Sequence, residues 1–215
     1  MALQVYDFRT DIKNLLVTPQ IRSRFLKMEV GQFNEGHTHD LGHEIFLILQ
    51  GQAEFNVDGE KATLGPGQMC IALTDEWHSV ENVGEDEVIM YLSVTPHIQP
   101  THTMWDDNGN KKPPRFTVNT SYDLEPDRTT STAELVDRCV AASDTFSQAA
   151  QIHTETVRQQ AEAVKAALDA GDQETVIQAR NAMWDALSSV YSTLAEFGDV
   201  WNEFGSRTVD EAYSE

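Results

Sequence analysis

GQFNEGHTHDLGHEIFLILQG, residues 31–51, decides how this chain is read. Between His37 and Glu44 it places three histidines (His37, His39, His43) and two acids (Asp40, Glu44). His37 and His39 alternate with Thr38, so in an extended strand, where side chains repeat every second residue, both imidazoles leave the same face. Glu44 follows past a kink expected at Gly42 and opens the apolar run Ile45–Leu49, the start of the next strand. Two imidazoles on one strand and a carboxylate on its neighbour make a mixed nitrogen and oxygen donor set. Such a set suits Fe(II), Mn(II), Ni(II), Zn(II) or Cu(II) rather than Ca(II) or Mg(II). His43, one residue before Glu44, points to the opposite face and reads as a surface or subunit-contact residue; a bulge at Gly42 would let it replace Glu44 as the ligand. Asp40 reads as a turn residue.

The spacing Gly31-x5-His37-x-His39-x4-Glu44-x6-Gly51 resembles the first motif of the cupin superfamily. The second motif is matched over residues 67–82 at Gly67, His78 and Asn82, with Leu73 where the family usually has proline and Asp75 where it usually has glycine. The resemblance covers roughly residues 20–96. It implies a mainly β fold, a cupin-like β-barrel of jelly-roll type, and a metal held by His37, His39, Glu44 and His78. The expected cofactor is one divalent transition metal per chain, Fe(II) favoured, with Mn, Ni, Zn or Cu as alternatives.

The rest of the chain fits around this centre. Residues 1–20 form an N-terminal arm without clear period, and 21–96 are the barrel. Within it, Ile21–Val30 reads as a strand whose imperfect two-residue apolar period starts at Phe25. The alternating segments 52–57 and 60–64 flank Asp58-Gly59, a hairpin signature. Gln68–Leu73 and Glu87–Val94 are further apolar strands. Phe46, Ile48, Phe55, Met69, Ile71, Met90 and Leu92 are candidates for the wall that keeps bulk water from the metal, and Glu76, Trp77 and Tyr91 for groups at its mouth.

Residues 97–130 form a Pro-rich loop. His97 and His102 within this stretch read as surface residues, with a pocket role as the alternative. Ser131-Thr132-Ala133-Glu134 resembles a capping box. From it a three-four spaced apolar seam (Leu135, Cys139, Ala142, Phe146, Ala150, Val157, Ala161, Val164, Leu168) runs to a break at Asp169–Asp172. A second helix, with Val176, Ala179, Met183, Leu187, Val190, Leu194, Phe197, Trp201 and Phe204 on one face, runs to about Gly205. Residues 131–205 are thus expected to form a C-terminal antiparallel two-helix hairpin, with a tail at 206–215. At 1.5 Å per residue the helices would be roughly 60 and 50 Å long. With so little core of their own they are expected either to pack on the barrel or to pair with a second copy in a four-helix bundle, the homodimer being preferred. His153 in the seam reads as a structural residue, since no i, i+3 or i+4 partner accompanies it.

Composition bounds the function. A net charge of −20 repels nucleic acid and anionic membrane surfaces at long range, so neither is an expected partner. Cys70 and Cys139 are the chain's two cysteines, too few for a disulfide framework. No apolar run approaches the ~20 residues that span a bilayer, and a cytoplasmic location is expected. The expected partner is a small-molecule substrate. No basic pair flanks the motifs, Lys27 and Lys61 being scattered, which favours an uncharged or weakly charged substrate. Phe46 stands where lyases that cleave dimethylsulfoniopropionate are expected to carry a base tyrosine, which argues against that activity. The leading reading is a mononuclear non-haem Fe(II)-type dioxygenase, with no catalytic residue assigned. A metal-dependent isomerase or lyase, or a non-catalytic binding module with a helical dimerisation hairpin, are the alternatives.

Overall fold

The computed structural model describes residues 3–212. Nine strands come first: β1 (Asn14–Val17), β2 (Arg22–Met28), β3 (Phe33–His37), β4 (His43–Gln50), β5 (Ala53–Val57), β6 (Glu60–Leu64), β7 (Met69–Ala72), β8 (His78–Asn82) and β9 (Val88–Thr95). They form two antiparallel sheets, a five-stranded one in the order β1-β2-β9-β4-β7 and a four-stranded one in the order β3-β8-β5-β6. This is a two-sheet antiparallel arrangement of jelly-roll type. Among the described residues its ladders remain two separate sheets rather than one closed barrel.

Local sequence explains the register. Asp58 (φ 47°) and Gly59 (φ 90°) both take positive φ, as the tight turn between the twisted strands β5 and β6 requires. In β4, Glu44, Phe46 and Ile48 are buried while their neighbours face outward. Gly51 takes φ 76°, and a Cβ there would stand 2.6 Å from the Glu87 carbonyl oxygen, so the close of β4 against the turn into β9 admits only glycine. Of the expected wall residues, Phe46, Ile48, Phe55, Met90 and Leu92 are buried, whereas Met69 and Ile71 are exposed. β7 is a sheet edge, and the parity that buries Ala72 turns both of them outward.

The N-terminal arm contributes an element that its composition does not announce, since Asn14–Val17 pairs antiparallel with β2. The segment after β9 holds a short 3-10 turn, Asn119–Tyr122, and bridges at Thr38 with Thr103 and at Trp105 with Lys111.

The chain divides into two compact units: the β unit up to Asp127 together with residues from Gly205, and a helical unit, Arg128–Phe204. Two helices follow the loop, α1 (Thr132–Ala170) and α2 (Gln173–Ala212). Ser131 caps α1, its Oγ accepting from the Glu134 amide at 3.2 Å. Gly171, at φ 71°, ends it in the left-handed conformation, and the chain turns back into the hairpin. The second helix continues past Gly205 to Ala212, so most of the expected tail is helical, while 213–215 lie outside the described residues. Leu168 and Leu194, assigned to the seams, are exposed. No described helix is long and apolar enough to cross a membrane.

Candidate metal centre

β3 and β8 run antiparallel with His37 and His78 as paired partners. One residue on, Thr38 exchanges backbone hydrogen bonds with Thr103 at 3.1 and 2.8 Å, so the Pro-rich segment fixes the chain just where it delivers His39. Glu44, from the other sheet, is paired with Ala72 and Val94 and is buried. These four side chains converge, each offering one donor atom, and the four atoms lie within 4.8 Å of one another. Oε2 of Glu44 is 2.9 Å from Nε2 of His39, 2.9 Å from Nε2 of His78 and 3.9 Å from Nε2 of His37.

Backbone carbonyls set the tautomers. Nδ1 of His37 donates to the Glu35 carbonyl at 3.0 Å, Nδ1 of His78 to that of Glu76 at 2.9 Å, and Nδ1 of His39 to that of Thr101. A carbonyl only accepts, so in the neutral ring each Nδ1 carries the hydrogen and each Nε2 presents a lone pair. Three such lone pairs and a carboxylate oxygen facing one another make a donor set that a metal cation would satisfy. Donors about 2.0–2.2 Å from one ion stand about 3 Å apart at right angles, close to the 2.9 Å separations observed. Nε2 of His37 is buried without a hydrogen-bond partner, as an unused ligand atom would be. The residues therefore fit a divalent transition-metal ion, with carbonyls orienting each imidazole.

The electrostatics agree. Burial pushes the Glu44 carboxyl up, but the surrounding imidazoles outweigh it and hold the group well below the usual carboxylate range. Burial pulls His78 down, yet the hydrogen bond to Glu44 raises it on balance. Burial, and secondarily the Glu44 charge, pushes the half-buried Cys70 thiol up to about 12, so it stays protonated and supplies no thiolate ligand.

His43 is exposed, and its Nδ1 accepts from the Thr74 amide at 3.0 Å. Glu44, not His43, joins the cluster, and Gly42 produces no bulge that would exchange them. Asp75 adopts φ 66°, a conformation that aspartate tolerates, which accounts for its standing where glycine is usual. Glu76 accepts through Oε2 from the Leu73 amide, and its carbonyl orients His78. Trp77 packs over Gly36. Tyr91 belongs to the outer face with Phe25, their ring centroids 6.3 Å apart.

Three expectations are corrected. His102 is not a surface residue: its ring centroid lies 4.6 Å from that of His37 and 5.0 Å from that of His39. Burial, then the charges of His37 and His39, keep it well below the ordinary histidine range. His97 is also buried, its ring 4.8 Å from that of Tyr122, and burial followed by the charges of Arg22 and His39 lowers it to about 3. Finally, a basic pair does reach the site. A cavity of ≈ 130 Å³ beside the cluster is lined by Arg22, Arg24 and Leu26 of β2, by Phe46, Val80 and Leu92, and by His102. The register of β2 on β9 turns Arg22, Arg24, Leu26 and Met28 inward and Phe25 outward, opposite to the apolar period assumed for this strand.

The profile of the Cupin domain family matches residues 24–95. An "Oxalate-binding protein" of Thermotoga maritima is 30% identical over 63 residues, 29% of this chain and 52% of that protein, so the chain spans about half the length of the curated relative it matches. Among solved structures, a Klebsiella pneumoniae protein with a double-stranded β-helix domain is similar at a TM-score of 0.42 and 20% identity, over 44% of this chain and 91% of that one. A cupin protein from Bacteroides fragilis is similar at 0.39 and 19%, over 45% and 83%. The matched segment, residues 24–95, holds most of the two sheets and all four donors, and it is this segment that is similar to the Cupin domain family.

Proposed function

We propose that this chain is a metal-dependent enzyme acting on a small organic molecule, with an Fe(II)-type dioxygenase as the leading form. One observation carries the reading: four oriented donor atoms, from His37, His39, Glu44 and His78, stand beside a cavity of ≈ 130 Å³. His37, His39, Glu44 and His78 would hold the ion, and Fe(II) bound there would supply the means to bring a substrate oxygen and O₂ together. The residues around it do the remaining work. Leu26, Phe46, Val80 and Leu92 line the cavity with apolar surface that excludes bulk water. His102 offers it an imidazole beyond the four donors, held at Nδ1 by the Thr101 hydroxyl at 3.0 Å. A non-catalytic binding module is the second reading, favoured by the relative whose name records oxalate binding.

Protein purified without chelator or affinity tag is expected to hold about one transition-metal ion per chain. The Fe(II) form is expected to consume O₂ with one member of a small-molecule panel under air and to leave the same compound unchanged under argon. Tight binding without turnover would favour the binding module. Metal-free protein that resists reconstitution would end the metal-based reading.

The homodimer belongs to the same proposal. Its support is a stripe on α2 in which Ile177, Trp184 and Tyr191, spaced by seven, are exposed. Light scattering is expected to give twice the chain mass of 24.1 kDa, and Trp184→Glu to shift it toward that mass. A wild-type monomer would refute the dimer.

A further inference from the structure

The cavity beside the cluster has one feature that the metal donors leave unexplained, its basic wall. Arg22 and Arg24 leave the same face of β2, in register with Val94 and Leu92 of β9, and both line the cavity with Glu44, His37 and His78. Arg22 is only 4% exposed. Nε of each guanidinium is buried without a hydrogen-bond partner. Among the described residues neither side chain makes an ion pair. The nearby acids are already engaged. Glu44 faces three imidazoles, and Asp123, whose charge acts on Arg24, accepts from the amide and side chain of Asn14 at 2.8 and 2.9 Å. Burial, then the neighbouring Arg22, pull Arg24 below the ordinary arginine range, and the opposing charges of Glu44 and Asp123 do not make up the difference. Among the described residues, Arg22 lies over the Tyr122 ring, 5.5 Å from its centroid.

Burying a charge is costly unless it is paired, and a pair of like charges more so. A chain of net charge −20 that keeps two arginines on this wall has inverted its own charge there. We propose that Arg22 and Arg24 form an anion clamp that receives the carboxylate of a small organic acid. The planar guanidinium fork matches a carboxylate in two parallel hydrogen bonds. A cavity of ≈ 130 Å³ holds about four water volumes of ~30 Å³, enough for an acid of a few heavy atoms and too little for a phosphosugar. With the carboxylate on the arginines, the other end of the acid faces the His/Glu cluster. That orientation rests on the metal-centre reading; the clamp itself does not.

Calorimetric titration tests it, using metal-free and metal-reconstituted protein with oxalate, its neutral analogue oxamide, and inorganic phosphate as probes. Oxalate is expected to bind both forms of the wild type, with oxamide and phosphate at least 10-fold weaker. Arg22→Met and Arg24→Met are each expected to weaken oxalate by about 10- to 100-fold, the range for a hydrogen bond to a charged group. Both variants should keep the wild-type metal content. Their melting temperatures should equal or exceed that of the wild type, because each removes an unpaired buried charge. A merely structural arginine would lower the melting temperature instead. Should either variant fail to fold, Arg22→Lys and Arg24→Lys, which keep the charge and lose the fork, are expected to bind oxalate at least 10-fold more weakly. The clamp is overturned if oxalate binding is absent from the wild type or indifferent to both arginines, or if oxamide or phosphate binds as tightly. Arginine-dependent binding to protein that takes up no metal would uphold the clamp and end the metal reading. Metal uptake with arginine-independent oxalate binding would do the reverse.

Discussion

His39→Ala and His78→Ala are each expected to cut divalent-metal affinity by about 10²–10³-fold while the protein stays folded. A four-donor site supplies about 10–16 kcal/mol, so an even share is about 2.5–4 kcal/mol per donor, close to that range. Both rings are buried, with Nε2 2.9 Å from the same Glu44 oxygen and Nδ1 fixed on a carbonyl, so removing either takes away one oriented donor atom. Glu44→Gln should do comparable damage, because an amide keeps the shape but removes the charge that balances the ion. His43→Ala is the control. Its ring is exposed and held by Thr74, so metal affinity should stay within about twofold of wild type, well below the 1.4 kcal/mol of a tenfold change. Competition against a chromogenic chelator measures all four proteins, and circular dichroism checks the fold. Loss of metal in His43→Ala equal to that in His39→Ala would sink the assignment of the donors. A matching result is expected from heat: metal at 1,000 times its Kd should stabilise the wild type by about 4 kcal/mol, and chelation should reverse this.

The donor cluster was legible because it depends on short-range parity. His37 and His39 share a face through an extended chain, Glu44 opens a strand with a clear buried period, and His78 begins another. The rest of the cavity depends on contacts that local pattern does not encode. His102 reaches His37 and His39 across more than 60 positions of sequence, from a segment whose prolines and polar residues describe a loop and nothing about its path. The arginines were hidden differently. Phe25 is the conspicuous apolar residue of β2, and taking it as inward puts Arg22 and Arg24 in solvent. The contrary signal was present in Met28, fully buried, which shares its parity with Arg22, Arg24 and Leu26. Weighing the whole strand by two-residue period from its closing methionine would have turned both cations inward. On α2 the seam itself was visible, but the heptad-spaced Ile177, Trp184 and Tyr191 lie beside it, and a single apolar face absorbs all the attention that periodicity gives.

Asn82→Ala is expected to cost about 3–5 kcal/mol, the largest stability loss for one substitution outside the apolar core. Asn82 closes the second motif but does not touch the donors, and its job is mechanical. At 1% exposure its Nδ2 reaches the carbonyls of Met28, Glu29 and Asp86 at 3.1, 3.0 and 3.0 Å, while Oδ1 accepts from the Gly84 amide at 3.0 Å. Met28 ends β2 in one sheet and Asn82 ends β8 in the other, so this one amide ties the two sheets together and holds the turn into β9. Alanine would remove two donor hydrogens shared among three carbonyls and one acceptor, each worth about 1–3 kcal/mol to a buried partner, with water entering the vacated space to offset part of the sum. Asn82→Asp should do no better, since it keeps the acceptor for Gly84 but points a carboxylate oxygen at three carbonyls. Urea unfolding of metal-free protein measures the loss without the contribution of a bound ion. A change below about 1 kcal/mol would show that the amide is not the tie between the sheets. The two strands it joins carry Arg22 and Arg24 on one side and His78 on the other, so loosening the tie should also weaken metal affinity, but by far less than removing a donor. A variant that lost metal as completely as His78→Ala while keeping wild-type stability would instead place Asn82 in the chemistry of the site.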